Sequence, residues 1–168
     1  RVYIEEASVV KIASNSLVVV APAGGSGQCP EFRPDFDPLS VIESRIAIGD
    51  PSFVPVGTYT RQVFDTLGWD DALYKQCILG KDVSSVLKYA ERGACDWAIV
   101  YASEARQSER VKILAEIPDT LHRPVDFYMA RIKTAESRNE EAVRNMEALI
   151  LGKKGRETFT SFGFKVDP

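Results

Sequence analysis

The stretch RIAIGDPSFVPVGTYTRQVFDTLG, residues 45–68, contains a strand, a sharp turn and a helix in immediate succession. Arg45–Gly49 is a short apolar run stopped by Asp50 and Pro51, the pattern of a buried strand. After Pro55, Val56 and Gly57 the period changes. Tyr59, Val63, Phe64 and Leu67 recur at helical spacing, and Gly68 supplies a C-terminal stop. The same succession returns downstream. Gln76–Leu79 reads as a strand, and Asp82 stands where an N-cap belongs. Val83, Val86, Leu87 and Ala90 then follow at i, i+3, i+4 and i+7 before Gly93. Asp96–Tyr101 is nearly all apolar, as in a strand covered on both faces.

Working outward, Leu17–Ala21 is a β-branched run closed by Pro22, Gly24 and Gly25. Residues 22–38 hold four prolines and three glycines and read as a loop. Val111–Glu116 and Val125–Ile132 read as further strands. Ala142, Val143, Met146, Leu149 and Ile150 mark an amphipathic helix, and Gly155–Phe162 a last one. Strands alternating with helices of about three turns predict a doubly wound α/β unit.

Composition excludes several functions. The 168 residues are 45% hydrophobic and 27% charged, with a net charge of -3. No basic run offers a groove for nucleic acid, and no apolar stretch approaches the roughly 18 residues that span a bilayer. Cys29, Cys77 and Cys95 are widely spaced and His122 is the single histidine, so neither a zinc site nor another metal site is expected. Cys77 and Cys95 read as small core hydrophobes, and His122 as a surface-loop residue. The N-terminal run Arg1–Glu6 is neither a signal peptide nor a Met start and reads as the interior of a longer chain.

In a doubly wound sheet, ligands lie beyond the carboxyl ends of the strands, beside helix N-termini. That rule selects residues 49–57, 80–84 and 101–104. Two of these loops enter helices, at Gly57 and Val83, where the first backbone N–H groups lack internal partners and the helix dipole favours negative charge. Tyr101 ends a strand and could add a hydroxyl. Such ends occur in every α/β protein and most meet only water; Asp82 most simply caps its own helix. The pattern nominates a place for an anion without naming it.

At these same loops the sequence resembles a known family. Ile48–Tyr59 is similar to the "GDP..VPAG.Y" segment of the periplasmic molybdate-binding proteins of ABC transporters. Leu67-Gly68-Trp69, Lys81-Asp82-Val83, the run Ala98–Ala105 and Phe162-Gly163-Phe164 match in order. Asn15–Pro22 resembles the family's crossover strand into its second lobe. The resemblance implies a type II periplasmic binding protein-like α/β fold, with two lobes closing on a tetrahedral oxyanion. It implies backbone N–H contacts from Val56 and Val83 and a hydroxyl contact from Tyr101. The implied ligand is molybdate or tungstate; no cofactor and no catalytic residue is implied. The implied partner is a membrane permease driven by an ATPase, and the implied location periplasmic or otherwise extracytoplasmic, with an anchor on the full-length protein left open.

Three departures stand out. Val56 replaces a usual Ala and is expected to crowd the pocket. Glu104 replaces a more usual Asp. Ala23–Pro38 fits no familiar pattern. The family's first strand and both of its serine-bearing loops have no counterpart here. Residues 1–16 are therefore expected to be the end of the N-terminal part of lobe 1. Residues 17–124 are expected to be a complete lobe 2, and residues 125–168 the return strand and C-terminal helices of an incomplete lobe 1. Met146, Leu149, Ile150, Phe159 and Phe162 are expected to be under-covered, inviting self-association, and the chain alone to carry half a site.

Alternatives are weaker. Ser85 and Lys88 have the S-x-x-K spacing of penicillin-recognising enzymes, but they fall on an amphipathic helix without companion motifs. Gly24–Gly27 follows a strand but leads into prolines and lacks a P-loop lysine. The alternating charges from Glu136 to Glu157 read as a solvated helix face. Enzymatic activity is not expected. A different oxyanion such as sulfate, or a ligand-sensing domain of a regulator, remains the alternative.

Overall fold

The computed structural model describes residues 3–25, 27–41, 45–69, 71–133 and 139–166. Its strands are β1 (Tyr3–Ile4), β2 (Val10–Asn15), β3 (Leu17–Pro22), β4 (Ile46–Gly49), β5 (Cys77–Gly80), β6 (Trp97–Tyr101), β7 (Val111–Glu116), β8 (Val125–Met129) and β9 (Ile132–Lys133). Its α-helices are α1 (Pro55–Leu67), α2 (Asp71–Lys75), α3 (Val83–Glu91), α4 (Ala102–Ala105), α5 (Glu140–Leu151) and α6 (Lys153–Ser161). Two compact units result: Ser16–Pro124, and a second made from both ends of the chain, Arg1–Asn15 with Val125–Pro168.

The central unit is built on a five-stranded sheet of order β5-β4-β6-β3-β7. β4 is parallel to both β5 and β6. β3 is antiparallel to β6 and to β7, so it alone runs against the other four. The doubly wound expectation therefore holds for β4 onward and fails for β3. Alternation of strand and helix, which makes parallel neighbours, begins only at β4. The connection from β3 to β4 contains, among the described residues, no more than a single 3-10 turn at Pro38–Ser40.

The β-branched run of β3 shows why both faces of the sheet are covered. Leu17 and Val19 face one core with Ile46, Ile48, Trp97, Ile99 and the α1 residues Val63, Phe64 and Leu67. Val18 and Val20 face the other, with Ala47, Ala98, Val100 and the α3 residues Val86, Leu87 and Ala90. A period of two in the strand thus sorts its side chains between two helical layers. The loop that fits no familiar pattern contributes to the first of these. Phe32 and Phe36 pack on Trp69, with ring centroids 6.5 and 6.1 Å away, and Phe64 meets the same indole at 5.6 Å. The Gln28 carbonyl accepts from Trp97 Nε1 at 3.1 Å. Ser26, at the centre of the glycine-rich turn, lies outside the described residues.

In the terminal unit β2 pairs antiparallel with β8, from Val10 opposite Met129 to Asn15 opposite Val125, with a bulge between Lys11 and Ala13. β1 pairs with β9. The expected single strand Val125–Ile132 is therefore two. The chain breaks at Arg131, whose N–H donates to Ser8 Oγ at 2.7 Å and whose guanidinium grips the Glu147 carboxylate. Asn139 caps α5 through Ala142 N–H at 3.2 Å. The charge pattern expected from Glu136 onward starts outside the described residues, as Glu136 itself is not among them. Neither α5 nor α6 buries a residue. Met146, Leu149 and Phe162 are 57%, 53% and 50% exposed, against half-buried Ile150 and Phe159. That is far less cover than an amphipathic face ordinarily receives.

Candidate functional site

Because β4, β5 and β6 run parallel, their carboxyl ends reach the same edge of the sheet. Gly49 and Gly80 are cross-strand partners there, and Asp50 N–H donates to the Gly80 carbonyl at 2.9 Å. The turn Asp50–Phe53 is closed by Asp50 itself: its carbonyl accepts from Val54 N–H at 2.8 Å and its carboxylate from Ser52 N–H at 2.9 Å. Pro55 then opens α1, a position where its missing N–H costs nothing.

Glycine is required at two points of this edge. A Cβ on Gly57 would overlap the Gly49 carbonyl, so the first turn of α1 rests directly on the end of β4. A Cβ on Gly80 would stand 2.6 Å from Val86 Cγ2, so α3 approaches the end of β5 as closely. Both helices thereby aim their N-termini beyond the strand ends.

The donors at those termini can be counted. In α1, Gly57 and Thr58 N–H both reach the Val54 carbonyl, at 2.9 and 3.1 Å. Among the described residues no acceptor faces the Val56 N–H, although Val56 is fully buried. In α3, Val86 N–H reaches the Asp82 carbonyl at 3.2 Å and Ser85 N–H the Asp82 carboxylate at 2.6 Å. Val83 N–H, ahead of both, has no acceptor among the described residues. A buried amide without a partner costs about 1–3 kcal/mol, so the Val56 N–H favours any acceptor that reaches it.

Two carboxyl groups at this edge are already occupied. The Asp82 carboxyl is held below the usual carboxylate range by hydrogen bonds from Ser85, first its hydroxyl and then its N–H. Its oxygen is thus directed at its own helix, as its N-cap geometry requires. The Asp50 carboxylate is turned back on Ser52.

Tyr101 closes β6 and is the N-cap residue of the one-turn α4, without a side-chain cap bond. Burial, and then the neighbouring Tyr59, push its phenol up to about 12. The hydroxyl is therefore a neutral donor throughout the neutral range. Ala102 N–H, the first of α4, is already taken by the Ser16 carbonyl at 2.8 Å. Tyr59, Val83 and Tyr101 all pack against the core layer that holds Val56. The structure thus places Val56, Val83 and Tyr101 on one edge of one sheet, two at helix starts and one at a strand end.

Two expectations change. Val56 does not crowd the open edge: its side chain lies in the core under Gly49, where a Cβ on Gly49 would come within 2.8 Å of Val56 Cγ1. His122 is not on the surface. It is 8% exposed, with Nδ1 2.7 Å from the Arg123 carbonyl and its ring edge-on to Tyr59 at 5.9 Å. The single turn Asp119–Leu121 tucks it onto α1, a tertiary packing event that a polar loop sequence does not signal. The cysteines divide. Cys95 is buried, Cys77 half-buried and Cys29 exposed. Burial pushes the Cys77 and Cys95 thiols up to about 12. Among the described residues no cluster of His, Cys, Asp or Glu could hold a metal ion, and no helix is long and apolar enough to cross a membrane.

Comparison with known proteins shows the family and the fold. The sequence profile described as bacterial extracellular solute-binding protein matches residues 3–165. The molybdate-binding protein ModA of Escherichia coli is 30% identical over 164 residues, which cover 97% of this chain and 63% of that protein. Among solved structures, the substrate-binding domain of a Clostridium difficile protein assigned to molybdenum ABC transport superposes with a TM-score of 0.84 at 25% identity. That match covers 98% of this chain and 69% of the other. The periplasmic molybdate-binding protein of Azotobacter vinelandii superposes at 0.71 with 19% identity, covering 99% and 71%, and shows a shared fold. The chain thus spans 63% of the E. coli relative's length. Its α/β architecture and a profile match over residues 3–165 make it a member of the bacterial extracellular solute-binding protein family.

Proposed function

We propose that this chain belongs to the solute-binding component of an ABC uptake system for molybdate or tungstate. In this reading the Ser16–Pro124 unit presents Val56 N–H, Val83 N–H and the Tyr101 hydroxyl to a tetrahedral oxyanion. The observation that carries it is the set of donors without acceptors on one sheet edge, the buried Val56 amide above all. Molybdate and tungstate are fully ionised near neutral pH and need donors only. A protonated phosphate also needs an acceptor, and the carboxylates of Asp50 and Asp82 are engaged elsewhere. The dipoles of α1 and α3 add to the attraction.

The protein then acts outside the cytoplasm, delivers its anion to a membrane permease and performs no catalysis. Because the relatives are longer, the whole binding activity is proposed for a protein of their length. The uncovered face of α5 and α6 is the surface through which this chain alone associates with itself. Calorimetric titration tests the reading, with molybdate, tungstate, sulfate and phosphate added to this chain and to a version extended N-terminally to the E. coli relative's length. Tight, saturable binding of molybdate or tungstate by the extended protein is expected. Preference for sulfate or phosphate would replace the ligand, and no binding by either form would remove the function.

A further inference from the structure

β3 enters the central sheet through two residues that are held from both sides. The Ser16 carbonyl accepts from Ala102 N–H at 2.8 Å, and the Leu17 carbonyl from Ile117 N–H at 2.9 Å. Leu17 also stands opposite Tyr101 in the β3–β6 ladder. Tyr101 is thus bracketed: its cross-strand partner is Leu17, and the residue after it hangs from Ser16.

A side-chain bond reaches the same bracket. Ser16 is buried, and its Oγ donates to Glu116 Oε1 at 2.9 Å. Glu116 ends β7, is itself exposed, and immediately precedes Ile117, whose N–H holds Leu17. A hydrogen bond from a hydroxyl to a carboxylate is charge-assisted and stronger than a neutral one. The bond at Oγ and the bond at the carbonyl belong to one residue. The end of β7 and the start of α4 are therefore joined through Ser16.

We propose that Glu116 is a positioning residue of the anion site: through Ser16 it fixes the junction of β6 and α4, and with it the place from which Tyr101 offers its hydroxyl. This rests on the reading of Tyr101 as an anion donor, but the junction can be probed without ligand.

The chain is labelled with 15N and with 13Cζ-tyrosine, and Tyr101→Phe assigns one of its six tyrosine signals. Glu116→Ala and Ser16→Ala are each expected to speed hydrogen exchange at the Ala102 amide and to shift the Tyr101 signal. Glu116→Gln, which keeps an acceptor for the Ser16 hydroxyl, leaves both near their original values. Molybdate is then titrated into the same variants of the extended protein. About a fivefold loss of affinity is expected for either alanine variant, the size of one hydrogen bond, and less than twofold for Glu116→Gln. The sign is informative: removing the Glu116 charge would by its field alone strengthen anion binding.

An Ala102 amide and a Tyr101 signal that stay unchanged in both alanine variants overturn the proposal, as does an affinity that does not fall. A Glu116→Gln variant as impaired as Glu116→Ala also overturns it, because the charge and not the bond would then be at work. A junction that responds as expected, in a protein that binds no molybdate, supports the positioning of Tyr101 and overturns the anion reading alone.

Discussion

Gly57 and Gly49 touch backbone to backbone: there is no room for a Cβ on Gly57 beside the Gly49 carbonyl. This contact places the start of α1, and with it the Val56 N–H, at the strand end. Gly57→Ala is expected to destabilise the chain by about 1–3 kcal/mol, the range for forcing a methyl into packed structure. Gly24→Ala, where a Cβ meets nothing within 4 Å, should stay within about 0.5 kcal/mol. Urea midpoints of the two variants decide it; equal midpoints would remove the close contact.

Tyr101→Phe keeps the ring and removes the hydroxyl. In the extended protein it should weaken molybdate binding by about 1.5–3 kcal/mol, the range for a hydrogen bond to a charged group. Because its phenol is pushed up to about 12, the donor persists well above neutrality, and affinity should be flat from pH 7 to 9. An unchanged affinity in the variant would take Tyr101 out of the site.

Asp82 gives a pH dependence of defined sign. Its carboxyl is held low in the folded chain by Ser85, so it gains a proton more readily when unfolded. Its stabilisation is complete above the ordinary carboxylate pKa of about 4 and is lost as pH falls through the lower folded value. Asp82→Asn, still a good N-cap but uncharged, should match the wild type at low pH and lose less of its stability on acidification. Urea titrations at pH 6, 4 and 3 read this, and parallel acid limbs would refute it.

The thiols should react in order. Cys29 is exposed, whereas burial raises Cys77 and Cys95 to about 12 and leaves little thiolate. Brief iodoacetamide treatment of the native chain, followed by peptide mass analysis, should label Cys29 alone, with all three labelled in urea.

The exposed face of α5 can be tested by charge. Met146→Lys with Leu149→Lys should lower the binding of an apolar dye and reduce any self-association seen by sedimentation, since both side chains are more than half exposed. Loss of folding would instead show that this face is structural.

What the sequence disclosed follows the reach of each signal. The period of α1 and α3, the strands on either side of them and the cap at Asp82 are local, and each was readable from a dozen residues. The direction of β3 was not, because strand polarity depends on how distant segments pair. His122 was misplaced for the same reason: its burial comes from α1, some sixty positions earlier in the chain. Val56 was nominated through family resemblance, whereas the place of its methyls, in the core under Gly49, is revealed only by the close approach of two backbones. Phe32 and Phe36 looked like loop residues because their partner, Trp69, lies beyond an intervening strand and helix.

Asn15 stands opposite Val125 in the β2–β8 ladder, although everything from Ser16 to Pro124 separates them in the chain. In topological terms the entire central unit occupies the place of a hairpin turn. Closing so long a loop before it is ordered is entropically unfavourable, and ordering it first brings the two ends together. The central unit is therefore expected to collapse before the β2–β8 ribbon zips, and a mutation that slows β4–α1 docking is expected to delay strands in which it makes no contact.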